Sequence, residues 1–107
     1  MSRLIYVEKQ MVVPAGGILK SFVFQRSGEK NVFLHTLRVV TDSYTSSARI
    51  YIDGEVFSPA VGPNTTFDVG KPTHYDKIEV RHAIEVEVSA ASTGSTSVWA
   101  YAYLEVE

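Results

Sequence analysis

A chain of 107 residues has the length of one domain, and residues 1–107 are read as a single β-sandwich domain. Its 10 Lys and Arg against 12 Asp and Glu give a formal charge of −2, so it lacks the basic excess of a phosphate-binding surface and no nucleic acid is expected as a partner. The absence of cysteine excludes disulfides, thiolate metal sites and a cysteine nucleophile, and no apolar run approaches the ~20 residues that cross a bilayer, so no membrane partner is expected.

The chain opens with Leu4, Ile5, Tyr6 and Val7, a first strand, with Met11, Val12 and Val13 as its continuation or a second one. Glu8, Lys9 and Gln10 follow the short apolar run directly, which is not the pattern of a signal peptide. Pro14, Ala15, Gly16 and Gly17 make a turn, because proline presets φ and glycine accepts positive φ. Residues 18–25 alternate as a strand with Ile18, Phe22 and Phe24 on one side and Leu19, Ser21, Val23 and Gln25 on the other. After a polar loop at 26–31, residues 32–40 form a third strand. Strict alternation would put Phe33, His35, Leu37 and Val39 on one face and Val32, Leu34 and Val40 on the other.

Residues 41–47 read as a hydroxyl-rich loop. Asp53 and Gly54 are a preferred type I′ pair between two apolar runs, which predicts a two-residue hairpin with Ile52 facing Glu55, Tyr51 facing Val56 and Ile50 facing Phe57. Residues 58–66 and 70–76 read as connections, with a short strand near Phe67. From 77 to 89 one parity is kept: Ile78, Val80, His82, Ile84, Val86 and Val88 lie on one side, and Lys77, Glu79, Arg81, Glu85 and Glu87 on the other. This is one long strand, or two in series with a kink near His82 and Ala83. Residues 90–96 form a small-residue turn.

The last stretch is the most distinctive. Val98, Ala100, Ala102, Leu104 and Val106 form a narrow apolar row, and Trp99, Tyr101, Tyr103 and Glu105 form an aromatic row on the opposite face. No segment shows a period of 3.6 residues. Short strands with a turn about every ten residues imply an all-β antiparallel sandwich, jelly-roll-like, of about eight strands, with an immunoglobulin-like sandwich as the second choice.

No catalytic motif emerges. A metal site of the cupin kind would need His35 and His82 to converge, but clustered His-x-His spacing is missing, so no metal and no cofactor are expected. Glu85 and Glu87 sit about 7 Å apart on a strand, a spacing a glycosidase can use, yet alternating with Arg81 and Glu79 they read as a solvated face. The candidate functional residues are therefore aromatic: Trp99, Tyr101 and Tyr103, with Tyr51 and Tyr6 on neighbouring strands. Such a row can be a second core face, a subunit interface, or a platform on which sugar rings stack.

The layout of a Val13 to Gly17 turn, the Ile50 to Gly54 hairpin, the alternating stretch from Lys77 to Val88 and a terminal aromatic strand ending in Leu104, Glu105, Val106 and Glu107 resembles small β-sandwich virion accessory proteins of tailed phages and related viruses. That resemblance implies a non-enzymatic structural protein, a capsid decoration or tail-associated protein made in the host cytoplasm and incorporated in the virion. Its partners would be copies of itself, with a trimer favoured, and a larger assembly such as a capsid. The alternative is a carbohydrate-binding module that uses the aromatic platform for a glycan.

Overall fold

In a computed structural model, the chain is described at residues 3–28, 31–42, 47–61, 65–68 and 78–107, with side chains except at 57–61 and 65–68. These residues form nine strands: β1 (Arg3–Val13), β2 (Ile18–Gln25), β3 (Val32–Thr41), β4 (Ser47–Ile52), β5 (Glu55–Val61), β6 (Thr65–Asp68), β7 (Ile78–Glu79), β8 (Ala83–Ser89) and β9 (Thr96–Val106). Sheet A runs β1-β9-β3-β6, with β7 also on β3, and sheet B runs β2-β8-β4-β5.

The order follows from one long hairpin. β4 pairs β5, β3 pairs β6, β2 pairs β8 and β1 pairs β9, all antiparallel and nested about the turn at Asp53 and Gly54. Rolling that hairpin brings β9 beside β3 and β8 beside β4, which splits the pairs into two sheets. This is jelly-roll topology, as the alternation in the sequence implied. The turn itself has positive φ at both Asp53 (55°) and Gly54 (83°), as a type I′ turn demands. At the other end Gly17 donates its N–H to the Pro14 carbonyl (2.8 Å) and Gly16 takes φ 71° to close the turn from β1 to β2.

One core cluster lies between the sheets. The narrow row of β9 is buried as its spacing requires, with Ala100, Ala102 and Leu104 wholly enclosed, and it shares the cluster with Leu37 and Val39 of β3, Ile50 of β4 and Ile84, Val86 and Val88 of β8. Each fully buried branched side chain here contributes roughly 1.5–3 kcal/mol.

The structure corrects several of the strand readings, and β-bulges account for three of them. A bulge adds one residue to one strand and flips the parity of everything beyond it. In β3 the register shifts between Leu34 and Thr36, so the buried set is Val32, Leu34, Leu37 and Val39, and neither of the expected alternating faces survives intact. In β2 the shift between Phe22 and Phe24 buries Val23 and Phe24 together and leaves Phe22 and Ile18 outside. In the hairpin Ile52 faces Glu55 and Tyr51 faces Val56 as expected, but Ile50 faces Ser58 rather than Phe57.

Other differences concern strand limits, and two open readings are decided. β1 is one strand, the continuous reading of the first stretch. β5 continues to Val61 through part of the expected 58–66 connection, and β4 begins at Ser47. The 77–89 stretch is two strands in different sheets, and His82 in the break between them is exposed rather than aligned with the buried row. The loop residues 43–46, the 70–76 connection and His74 lie outside the described residues.

Candidate interaction face

β9 is the middle strand of sheet A's outer surface, so its outward side chains stand in register with those of β1 and β3. Three rows result: Tyr6–Tyr103–Thr36, Glu8–Tyr101–Arg38 and Gln10–Trp99–Val40. Directly opposed residues on neighbouring strands approach within about 5 Å at Cβ, which lets the rings touch. Tyr6 lies 5.2 Å from Tyr103 and 5.9 Å from Tyr101 between ring centroids, and Trp99 lies 4.8 Å from Tyr101. Tyr101 and Tyr103 meet edge to face at 6.5 Å. Four rings thus form one cluster in tilted and edge-on arrangements, the geometries the ring quadrupole favours.

Three of the four rings, Tyr6, Trp99 and Tyr101, have their polar atoms partnered on this face. The Tyr6 hydroxyl (2.8 Å) and the Trp99 indole N–H (2.9 Å) both donate to Oε2 of Glu8, and Arg38 Nη1 donates to the Tyr101 hydroxyl (3.3 Å). Loss of water around the Tyr6 hydroxyl, then its bond to the Glu8 carboxylate, push its pKa up to about 12. The same two donors, Tyr6 first and Trp99 second, hold Glu8 below the usual carboxylate value. The ring surfaces nevertheless remain open: Tyr6, Trp99 and Tyr103 are 45%, 41% and 40% exposed. Of the readings open to the sequence, a second core face within the chain is the one this exposure removes.

At the Trp99 end the cluster borders a shallow groove of about 370 Å³ between Gln10, Val40, Asp42, Ser97 and Trp99. Its floor is fixed by a reciprocal pair of bonds. Asp42 Oδ1 accepts from the Ser97 N–H (2.9 Å), and the Asp42 N–H donates to the Ser97 carbonyl (3.2 Å).

Tyr51, expected beside this row, is on β4 and faces out from sheet B, the opposite side of the sandwich. Parity places a side chain inside or outside but does not say which sheet it leaves from. Its neighbours are charged. Lys20 Nζ sits 3.9 Å from the Tyr51 ring centroid and 3.8 Å from Glu85 Oε2, and the Tyr51 hydroxyl donates to Glu87 Oε1 (3.3 Å). Glu85 and Glu87 are therefore engaged with a cation and a phenol. His35 occupies the bulge of β3, its Nδ1 2.9 Å from Thr36 Oγ1, and among the described residues no three His, Asp or Glu side chains gather closely enough to hold a metal.

The sequence reading overlooked three residues that matter here. Glu8 shares its parity with Tyr6, so its place on the aromatic face was readable once β1 was taken as unbroken. Arg38 lay hidden behind the bulge. Asp53 does more than turn the chain: its carboxylate accepts the backbone N–H groups of Arg81 (2.9 Å), His82 (2.6 Å) and Ala83 (3.0 Å), tying the β4–β5 hairpin to the start of β8. Partial burial works to raise its pKa, but the three donors and the nearby His82 outweigh this and leave it lowered.

No family model and no curated protein matches the chain in sequence. Among solved structures it is similar to FlhE, with a TM-score of 0.57 at 7% identity over 98% of this chain and 95% of that one. It also matches a subunit of the Bacillus endospore appendages, described as a novel family of disulfide-linked pili, with a TM-score of 0.48 at 9% identity over 99% of this chain and 89% of that one. A third match is VP2 of the infectious bursal disease virus subviral particle, with a TM-score of 0.44 at 16% identity over 99% of this chain and 33% of that one. The FlhE likeness is one of fold.

Proposed function

We propose that this protein is a non-enzymatic structural subunit, a capsid decoration or virion accessory protein that associates with copies of itself and docks on a larger assembly through the outer face of sheet A. The observation that supports this most is a ring cluster in which Tyr6, Trp99 and Tyr101 are hydrogen-bonded to Glu8 and Arg38 on the same face while the ring surfaces face water. Large exposed apolar patches with that character belong to contact surfaces, where tyrosine and tryptophan are enriched. The partnered charges on sheet B support the same reading, since they serve that surface itself. Light scattering on the eluting protein tests it: wild type elutes as an oligomer at micromolar concentration, and Trp99→Ala shifts it toward monomer. A wild-type monomer, or an oligomer indifferent to Trp99→Ala, contradicts it.

The groove beside Trp99 favours one second reading, a glycan site. An aromatic wall flanked by the Gln10 amide, Asp42 and Ser97 is suited to stacking and hydrogen bonding a sugar ring. Titrating a glycan panel while following tryptophan fluorescence tests it; a flat response across the panel removes the glycan.

A further inference from the structure

The exposed apolar side chains are not evenly spread. Among the described residues Leu4, Tyr6, Val12, Ile18, Leu19 and Phe22 stand exposed on β1 and β2, against Val56, Trp99 and Tyr103 elsewhere. β1 and β2 are the outermost strands of their sheets on one side of the sandwich, and they pack against each other there. That side is ajar. Ile5, Val7 and Met11 point toward the core yet are only half-buried, and Leu19, on the corresponding row of β2, is exposed. β1 is also eleven residues long and takes its ladder from β9, so its other edge presents backbone donors and acceptors in a row. A long edge is a template for another strand unless charges, a bulge, a proline or a cover blunt it; β1 has neither bulge nor proline, and its three charges, Arg3, Glu8 and Lys9, restrict the registers in which a partner strand can pair.

We propose that a second copy of this chain covers it, by antiparallel pairing of the two β1 strands about a two-fold axis through Val7. This rests on the self-association proposed above. The charges of β1 select the arrangement. Parallel pairing in register would set Arg3, Glu8 and Lys9 each against its own copy. Among antiparallel registers, centring on Tyr6 opposes Arg3 to Lys9, centring on Glu8 opposes two glutamates, and centring on Lys9 opposes two lysines. Centring on Val7 pairs residues 3–11 with no like charges opposed. Arg3 meets Met11, Leu4 meets Gln10, Ile5 meets Lys9 and Tyr6 meets Glu8. Centring on Gln10 also avoids like charges but pairs only residues 7–13. Lys9 is thus a register selector: its stem lies along Ile5 of the second copy and its ammonium reaches water.

Two consequences follow for the outer face. Glu8 already accepts two bonds, from Tyr6 and Trp99, and a carboxylate has capacity for about four, so it can take the Tyr6 hydroxyl of the second copy as well. The two sheets A become one continuous sheet, and the two ring clusters meet across the seam as a single docking surface. Because the contact uses the same strand on both copies, it closes as a dimer, in place of the trimer that the virion resemblance implies.

Cysteine cross-linking tests the seam without background, since the chain has no cysteine. Val7→Cys should oxidise to a covalent dimer at least ten times faster than Val56→Cys, which sits exposed on the hairpin away from the seam, because two opposed strand residues lie within disulfide reach. A mixture of Ile5→Cys and Lys9→Cys should cross-link between the two variants, and Ile5→Cys alone should not. If the reduced proteins assemble by light scattering but Val7→Cys is no faster than Val56→Cys, the seam is wrong and self-association stands. If Val7→Cys cross-links while Trp99→Ala leaves the mass unchanged, the seam stands and the aromatic-face reading falls. A monomer at every concentration overturns both.

Discussion

On sheet A the outward residues of β9 are Ser97, Trp99, Tyr101, Tyr103 and Glu105; on sheet B those of β8 are Ala83, Glu85, Glu87 and Ser89. Both strands are central, paired on each side, and both bury an unbroken apolar row beneath. The backbone demands are the same, so the contrast lies in what the outward row does with water. The sheet B glutamates are set among Lys20, Arg49 and Tyr51, so the middle of that surface is charged, while its exposed apolar side chains, Ile18, Phe22 and Val56, lie on the flanking strands β2 and β5. Sheet A also meets its polar needs internally, through Glu8 and Arg38, but what it then shows to solvent is ring surface. The lesson is that an outward row can be polar in composition, as tyrosines are, and still present ring surface once most of its polar atoms are bound sideways.

The largest expected effect comes from a charge at the end of sheet B that, unlike its surface glutamates, is bound by backbone. Asp53→Ala should cost about 2–3 kcal/mol of folding stability by denaturant unfolding, because three N–H groups lose a charged acceptor. Since its folded pKa is lowered, the contribution is present above the ordinary carboxylate value near pH ~4 and disappears as pH falls through the lowered folded value. Asp53→Asn, which keeps the tolerance for positive φ, should flatten that acid limb.

Next, Trp99→Ala should weaken self-association by about 2 kcal/mol, roughly 30-fold in Kd, whereas Tyr51→Ala on the other face should change it less than about threefold. Sedimentation of the two variants would break the comparison if the effects were equal.

A third change acts beneath the aromatic row. The Thr96 hydroxyl, at the start of β9, is wholly buried without a hydrogen-bond partner among the described residues. Thr96→Val should raise stability by about 1 kcal/mol, read as a shift in the urea midpoint.

Smallest is the Lys20–Glu85 pair, at 3.8 Å and partly exposed. A double-mutant cycle should give about 0.5 kcal/mol, fading in 1 M salt, while association through sheet A holds or tightens in the same salt.

β9 was legible in full because its alternation is never interrupted, and the Asp53–Gly54 turn because only a few residues accept two positive φ values in succession. β2 and β3 were half-legible: Val23 and His35 look like ordinary members of an alternating run, and nothing in their side chains announces an inserted residue. The break between Glu79 and Ala83 was readable as a kink but not as a change of sheet. Alternation places Tyr51 outward but cannot separate it from Trp99, because sheet membership depends on how the long hairpin rolls, a property of non-local pairing.

Trp99 is the sole tryptophan of the chain, which makes the aromatic face directly observable. Emission wavelength and acrylamide quenching, followed across a dilution series alongside the light-scattering mass, report whether that face is covered as subunits join. The edge seam by itself leaves the rings open, so the account predicts a blue shift and reduced quenching that rise in step with mass above the dimer. Mass that climbs past the dimer while Trp99 stays as wet and as quenchable as in the monomer would contradict it.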